Sequence, residues 1–205
     1  MKHFAFFSLA VLLFVSCGGG SKQNTDAEGG DSQVQGKDYT NTDEWAWVDM
    51  GTNVLWATMN IGASHSTEFG SYLQWSPITA TYGDEFSNCR LPTKADYEEL
   101  ATVKTTDGKY TEGPCRTTWG KVNGVYGMTY TNKKTGNAIF LPAAGEKSQG
   151  IDYFVGKKAY YWTLDSKDDK AIATEFQSGA APYAGAFAEM LIAYYVCPVR
   201  LVKEK

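Results

Sequence analysis

Imidazole, the usual general base at neutral pH, is almost absent from this chain: His3 and His65 are its two histidines. His65 lies in Gly62-Ala63-Ser64-His65-Ser66-Thr67, a polar run of small residues that reads as a loop. A Ser-His-Asp or Cys-His arrangement needs an imidazole beside the nucleophile, and a zinc site built from several histidines cannot be made from one. Cys89, Cys115 and Cys197 show no C-x-x-C spacing, so neither a zinc ribbon nor a redox pair is indicated. In an oxidising compartment they offer one disulfide and a thiol left over, in three alternative pairings; buried reduced thiols are the equal alternative. Carboxylates are plentiful, with 23 Asp and Glu, and a carboxylate pair can support glycosidic chemistry unaided. The run Asp165-Ser166-Lys167-Asp168-Asp169 holds oxygen ligands of the kind calcium favours, but its spacing is not that of an EF-hand. A solvated turn between two strands is the better reading, and no metal or cofactor is expected.

Charge narrows the partners. The 205 residues carry 19 Lys and Arg against the 23 acids, a net charge of −4 with pI near 5.2, and only three of the basic residues are Arg. A nucleic-acid binder presents a basic face, so that class is disfavoured. Apolar residues at 43% and charged residues at 20% fit a packed globular chain rather than a disordered one. With imidazole scarce, aromatic rings are the richest binding groups, at 6 Trp and 13 Tyr. Trp47, Trp56, Trp75, Trp162 and Phe140 lie in strand-like runs and are assigned to a core. Tyr153, Tyr183, Tyr194 and Tyr195 fall in Gly- and Ala-rich connections and are the residues assigned to ligand contact.

The elements that position these groups are mostly short strands. Val54–Ile61, Phe69–Trp75, Gly124–Thr131, Asn137–Leu141, Ala159–Leu164, Ala171–Gln177 and Tyr194–Val202 are apolar runs separated by Gly, Asn and Asp. Val125–Thr131 and Ala138–Leu141, joined across Asn132-Lys133-Lys134-Thr135-Gly136, predict a hairpin. One helix is predicted at about 93–104, with Tyr97, Leu100 and Ala101 on its apolar stripe. Thr93 is its N-cap and Asp96 completes a capping box. The fold class expected is α+β, and no internal repeat is visible.

The N-terminus reads as an address. Lys2 and His3 precede an apolar run from Phe4 to Val15, too short to span about 30 Å of hydrocarbon, in the layout of a secretory signal peptide. Phe14-Val15-Ser16-Cys17 resembles a bacterial lipobox, which implies cleavage before Cys17 and lipidation of that residue. Several acyl chains on one residue hold a protein stably at a membrane. Loss of residues 1–16 leaves His65 as the sole histidine and a net charge of −5. Residues 17–42, rich in Gly, Ser, Asp and Gln, read as the lipidated Cys and a flexible linker, and residues 43–205 as one domain.

Five blocks within that domain carry a family resemblance. Cys89-Arg90-Leu91-Pro92-Thr93-Lys94-Ala95-Asp96-Tyr97-Glu98-Glu99-Leu100 resembles a signature of the formylglycine-generating-enzyme and C-type-lectin-like superfamily. Trp47-Val48-Asp49-Met50-Gly51 with Leu55-Trp56-Ala57-Thr58-Met59-Asn60-Ile61-Gly62-Ala63 is similar to the opening of the Fibrobacter-type major paralogous domain, common in surface lipoproteins. Ala138–Gly145 and Tyr160-Tyr161-Trp162-Thr163 are similar to its middle blocks, and Cys197-Pro198-Val199-Arg200-Leu201-Val202 to its closing strand. The resemblance implies a C-type-lectin-like fold whose ligand surface is built by long loops of the second half, here Gln177–Tyr195. It also implies what is missing: Cys197 stands alone where the formylglycine enzymes use two thiols for copper, and the tripeptides of calcium-dependent lectins are absent.

The expectation is therefore a non-catalytic binding module. It is lipid-anchored at the outer membrane and displayed on the cell surface, and it recognises a glycan or a protein. A structural subunit or adhesin of a surface assembly is the alternative, and a carboxylate-based or formylglycine-type enzyme is the less favoured one.

Overall fold

Short antiparallel strands, punctuated by glycines and polar turns, account for most of the regular secondary structure among the described residues. The computed structural model describes residues 36–101, 103–104, 108–178 and 186–205. Cys17 and Tyr183 lie outside the described residues, as does the whole predicted address. In chain order the strands are β1 (Trp47–Asp49), β2 (Val54–Ala57) and β3 (Tyr72–Gln74), followed by helix α1 (Lys94–Leu100). Then come β4 (Val103–Lys104), β5 (Tyr110–Thr111), β6 (Cys115–Val122), β7 (Val125–Asn132) and β8 (Ala138–Pro142). The last third holds β9 (Glu146–Ser148), β10 (Ile151–Tyr153), β11 (Lys158–Lys167), β12 (Lys170–Gln177), β13 (Ala186–Leu191), β14 (Tyr195–Pro198) and β15 (Val202–Glu204). Strand outweighs helix, 47% against 8%, which makes the class α+β and mostly sheet.

Three of the sheets have three strands, in the orders β1-β2-β15, β6-β7-β8 and β11-β12-β13; a fourth runs β10-β9-β14-β3, and β4 pairs with β5. The β2–β15 ladder, with Val202 opposite Trp56, ties the start of the domain to its end. The predicted hairpin is present as β7–β8, with Thr131 opposite Ala138. Its turn is organised by Asn132, whose Oδ1 accepts from the backbone N–H groups of Lys134 and Thr135.

Two cores fill the space between the sheets. The first is centred on Trp56, Tyr97, Tyr130 and Phe176, with Trp56 and Tyr97 edge-on at 5.1 Å between centroids. The second gathers Leu91, Trp162, Cys197, Val199 and Leu201. Trp56, Trp162 and Phe140 are fully buried as expected, whereas Trp47 and Trp75 are half-buried at the margin of the second core.

Helix α1 starts as its sequence dictates. Thr93 Oγ1 accepts from Asp96 N–H, and an Asp96 carboxylate oxygen accepts from Thr93 N–H at 2.6 Å. Arg90 clamps the same carboxylate at 2.5 Å and reaches Glu204 on β15 at 2.9 Å, so one guanidinium joins the helix start to the closing strand. Burial works to raise the Asp96 carboxyl, but Arg90 and the two Thr93 bonds outweigh it and hold the group below the ordinary carboxylate range. The helix does not reach residue 104. Ala101 is extended (φ −129°, ψ 173°), Gly113 packs backbone to backbone against it, and Val103–Lys104 pair as β4.

Other boundaries also move. Residues 37–42, expected as linker, belong to the fold: Tyr39 N–H donates to Ala138 O, and Ser66 Oγ donates to Thr40 O while accepting from Thr42 N–H. Tyr194–Val202 is not one strand but β14 and β15, broken at Val199-Arg200-Leu201. At the break the Arg200 side chain turns inward and is fully buried, donating to Asn60 Oδ1, Ala57 O and Phe140 O at 2.9 Å each. No carboxylate pairs with it among the described residues, and burial pushes the guanidinium pKa down. The segment after Gln177 is not all loop, because β13 pairs with β12 in continuous register.

Replacing Arg200 with Met keeps the bulk and removes every donor. With about 1–3 kcal/mol lost for each buried acceptor left unpaired, Arg200→Met is expected to cost about 3–5 kcal/mol in urea unfolding. A loss below about 1 kcal/mol would show that the three acceptors have other partners.

Candidate functional site

An aromatic-lined opening lies where β1, β15 and a short 3-10 turn (Asp84–Phe86) converge. It is a cleft of about 640 Å³ with Trp45, Trp47 and Phe86 as its walls. The backbone places the two indoles. Ala46 is held extended by Thr58, which donates N–H to Ala46 O and offers Oγ1 to Ala46 N–H, both at 3.0 Å. Residues two apart in an extended chain share a face, so Trp45 and Trp47 look out together while Val48 enters the first core. Their rings are perpendicular at 6.1 Å, and Phe86 leans on Trp45 at 5.4 Å and 42°. The three rings form a bent apolar platform.

Polar groups ring the platform. Asp43, Glu85, Asn88 and Lys203 line the mouth, all of them exposed. Asp43, Glu85 and Lys203 form no ion pair within the described residues, although nine other ion pairs are made elsewhere. Their charges are therefore free to meet a ligand's hydroxyl, amine or acid groups. An apolar floor with a few unspent polar groups is the arrangement by which small-molecule sites fix orientation.

The one thiol that lines this cleft is Cys89, and Ser64 beside it donates its hydroxyl to the Glu68 carboxylate. Burial pushes the Cys89 thiol up, with Lys203 opposing only in part, and the thiolate is the reactive form. His65 does not assist it. Its Nδ1 is engaged by Thr67, at 2.9 Å from Oγ1 and 3.2 Å from N–H, and the ring lines a separate depression beside Phe69 and Val125. Cys115 and Cys197 are also free thiols, buried in the two cores, with Cys115 pushed up by burial to about 12 and Cys197 well above the ordinary range. None of the three cysteines is paired. Asp165 is likewise occupied, accepting from Lys94 N–H at 2.7 Å at the start of α1, and Asp168 takes a left-handed turn conformation (φ 56°) between β11 and β12. Among the described residues no three His, Cys, Asp or Glu side chains converge on a metal position.

Of the tyrosines that the sequence assigns to ligand contact, Tyr153, Tyr194 and Tyr195 do not line this cleft, and Tyr183 lies outside the described residues. Tyr153 and Tyr194 are 39% and 52% exposed on and beside the β10-β9-β14-β3 sheet, and Tyr195 is half-buried against the second core. Sequence reasoning does not single out Trp45 or Phe86, and it assigns Trp47 to the core. The two tryptophans do carry a signal: Trp-Ala-Trp ahead of a strand puts two rings on one face. Phe86 carries none, because its 3-10 turn meets Trp45 only through the tertiary fold. No family model, curated protein or solved structure matches the chain. Among the described residues no helix is long and apolar enough to cross a membrane.

The thiols give a direct check on this geometry. Cys89, half-exposed at the cleft, is expected to react with a small maleimide in the native protein, faster as pH rises. Cys115 and Cys197 should be labelled only after unfolding. Equal labelling of all three under native conditions, read by peptide mass spectrometry, would contradict their burial in the two cores.

Proposed function

We propose that this chain is a non-catalytic binding module of C-type-lectin-like fold in the major paralogous domain family, carried at the outer membrane by lipid on Cys17 and binding a glycan in the aromatic cleft. The observation that carries this reading is the platform of Trp45, Trp47 and Phe86 with its rim of unpaired charged groups. The CH-rich face of a pyranose stacks on an indole, while Asp43, Glu85 and Asn88 accept from or donate to ring hydroxyls. The pairing of β2 with β15 across the domain, and a single capped α-helix among the described residues beside antiparallel sheets, support the fold assignment. The Cys89 thiol, held in its unreactive protonated form by burial, favours binding over thiol-based turnover at this cleft. The ligand surface in this reading is the first-half cleft rather than the loops after Gln177.

The test is a titration of tryptophan fluorescence and heat against a panel of soluble oligosaccharides. A binding saccharide is expected to quench the indoles. Trp45→Ala and Phe86→Ala should each weaken it by about 10- to 100-fold, the usual range for loss of a stacking anchor. Full retention of affinity in both variants would move the site elsewhere.

A further inference from the structure

A second feature is independent of the cleft and is not explained by folding. Glu146, on β9, is only 8% exposed, yet its carboxylate makes no hydrogen bond and no ion pair among the described residues. The small exposure that remains lies at the carboxylate, whose oxygens are not among the fully enclosed unpartnered atoms, so the acid opens outward from a largely enclosed site with no cation bonded to it. Burial and the nearby Glu175 push the Glu146 carboxyl up, and Lys158 opposes them. Lys158 is committed elsewhere, at 2.6 Å from Glu175. With all three ionised, one negative charge is left over.

The surroundings of Glu146 are built rather than accidental. In the β9–β10 ladder Glu146 stands directly opposite Tyr153, so the two side chains share a face. On that same face Ser148 lies between Ile151 and Tyr195. The second core covers this face at Cys197 and ends at Glu146, leaving Ile151 56% and Tyr153 39% exposed beyond it. The turn after β10 adds Phe154, 44% exposed and held at φ 61°, a left-handed conformation that bulky residues avoid. The turn is pinned: Lys157 and Lys158 N–H donate to Phe154 O at 2.9 Å, and Gly156 N–H donates to Ala143 O at 2.7 Å. Gly145 lies against it so closely that a Cβ would collide with the Tyr153 carbonyl oxygen. The Phe154 ring rests on the Lys158 ammonium at 5.0 Å, with Tyr153 at 6.4 Å and Tyr160 at 6.2 Å. Strain held in place by surrounding bonds is a mark of a presented surface, and a rigid surface loses little entropy on binding.

We infer that the β9–β10 hairpin is a docking surface for a protein partner, with Glu146 receiving a lysine or arginine side chain that the partner presents among apolar residues. Charge complementarity selects the occupant. The excess negative charge calls for a cation, and the exposed Ile151, Tyr153 and Phe154 call for an apolar collar around it, which a saccharide does not supply. Aromatic faces beside the carboxylate add to the hold on a cation.

The probe is a set of capped tripeptides, two leucines flanking lysine, arginine, norleucine or glutamate, titrated into the isotopically labelled full chain and followed by amide chemical shifts. The lysine and arginine peptides are expected to perturb residues 145–158, with the norleucine peptide weaker by about tenfold or more. The groups facing Glu146 are Lys158 and Tyr160 on β11, Glu175 on β12, Tyr153 on β10 and Cys197 on β14; of these, Glu146 is the acid raised toward neutrality. Lysine-peptide affinity should therefore fall as pH is lowered from about 8 to about 5 and the carboxyl takes up its proton. Glu146→Gln should abolish the lysine preference without lowering Tm at pH 7, because no bond is lost and a buried charge is removed. Equal binding of the lysine and norleucine peptides, a preference that survives Glu146→Gln, or a Glu146→Gln chain that melts early would each overturn the proposal. The first two outcomes leave the glycan cleft untouched, since Trp45 and Phe86 take no part in them.

Discussion

Arg200 is the constraint on which the rest of the molecule depends. A guanidinium with no exposure and no carboxylate must satisfy its donors with neutral oxygens, and it finds them on three separate segments: Ala57 at the end of β2, Asn60 in the following loop and Phe140 on β8. The network extends further. Asn60 donates to Phe69 O and to Tyr161 OH, and Tyr161 OH donates to Pro142 O. One side chain thus sets the approach of the first sheet to the β6-β7-β8 and β11-β12-β13 sheets. Its inward turn is also why the C-terminal segment splits into β14 and β15, which join different sheets.

That split creates the two surfaces of functional interest. β15 returns to β2 and brings Lys203 to the mouth of the aromatic cleft, while Arg90 reaches back from the far side of Cys89 to Glu204. β14 goes instead to β9 and β3, so the second core thins out toward the edge strand β10. The cleft is concave, aromatic and rimmed by unpaired charge. The hairpin carries exposed apolar side chains, a hydrogen-bonded turn and one acid without an ion pair among the described residues. The lining residues of the cleft and the exposed side chains of the hairpin do not overlap, so the two proposals concern different surfaces.

Cysteine placement is set by the same packing. Cys115 faces the first core, where its thiol donates to Met50 O, and Cys197 faces the second beside Met190. Each fills apolar space as a small hydrophobe does. Cys89 lies on the cleft wall, on the approach to the Arg90–Asp96 clamp.

Local rules are enough for part of this structure. The capping box of Thr93 and Asp96, the β7–β8 hairpin and the mixed but sheet-dominated class come from nearest-neighbour chemistry: a side chain meeting a backbone three residues away, or alternation across a pleat. The scarcity of imidazole, countable in the sequence, leaves His65 as the one histidine of the domain that could serve as a base. Where long-range contacts compete, local rules fail. The helix stops at Leu100 because Gly113 and β5 claim the residues beyond it, and a continuous apolar run breaks at Arg200 because acceptors 60 and more residues away bury the guanidinium. The two proposed surfaces belong to the same class. Trp45 and Phe86 are 41 positions apart, and Glu146 reads as an ordinary solvated acid until β10 and β11 close over it. Residue type fixes what each group can do; which groups share a cleft, and which acid is left without a partner, is decided by desolvation and packing between segments remote in the chain.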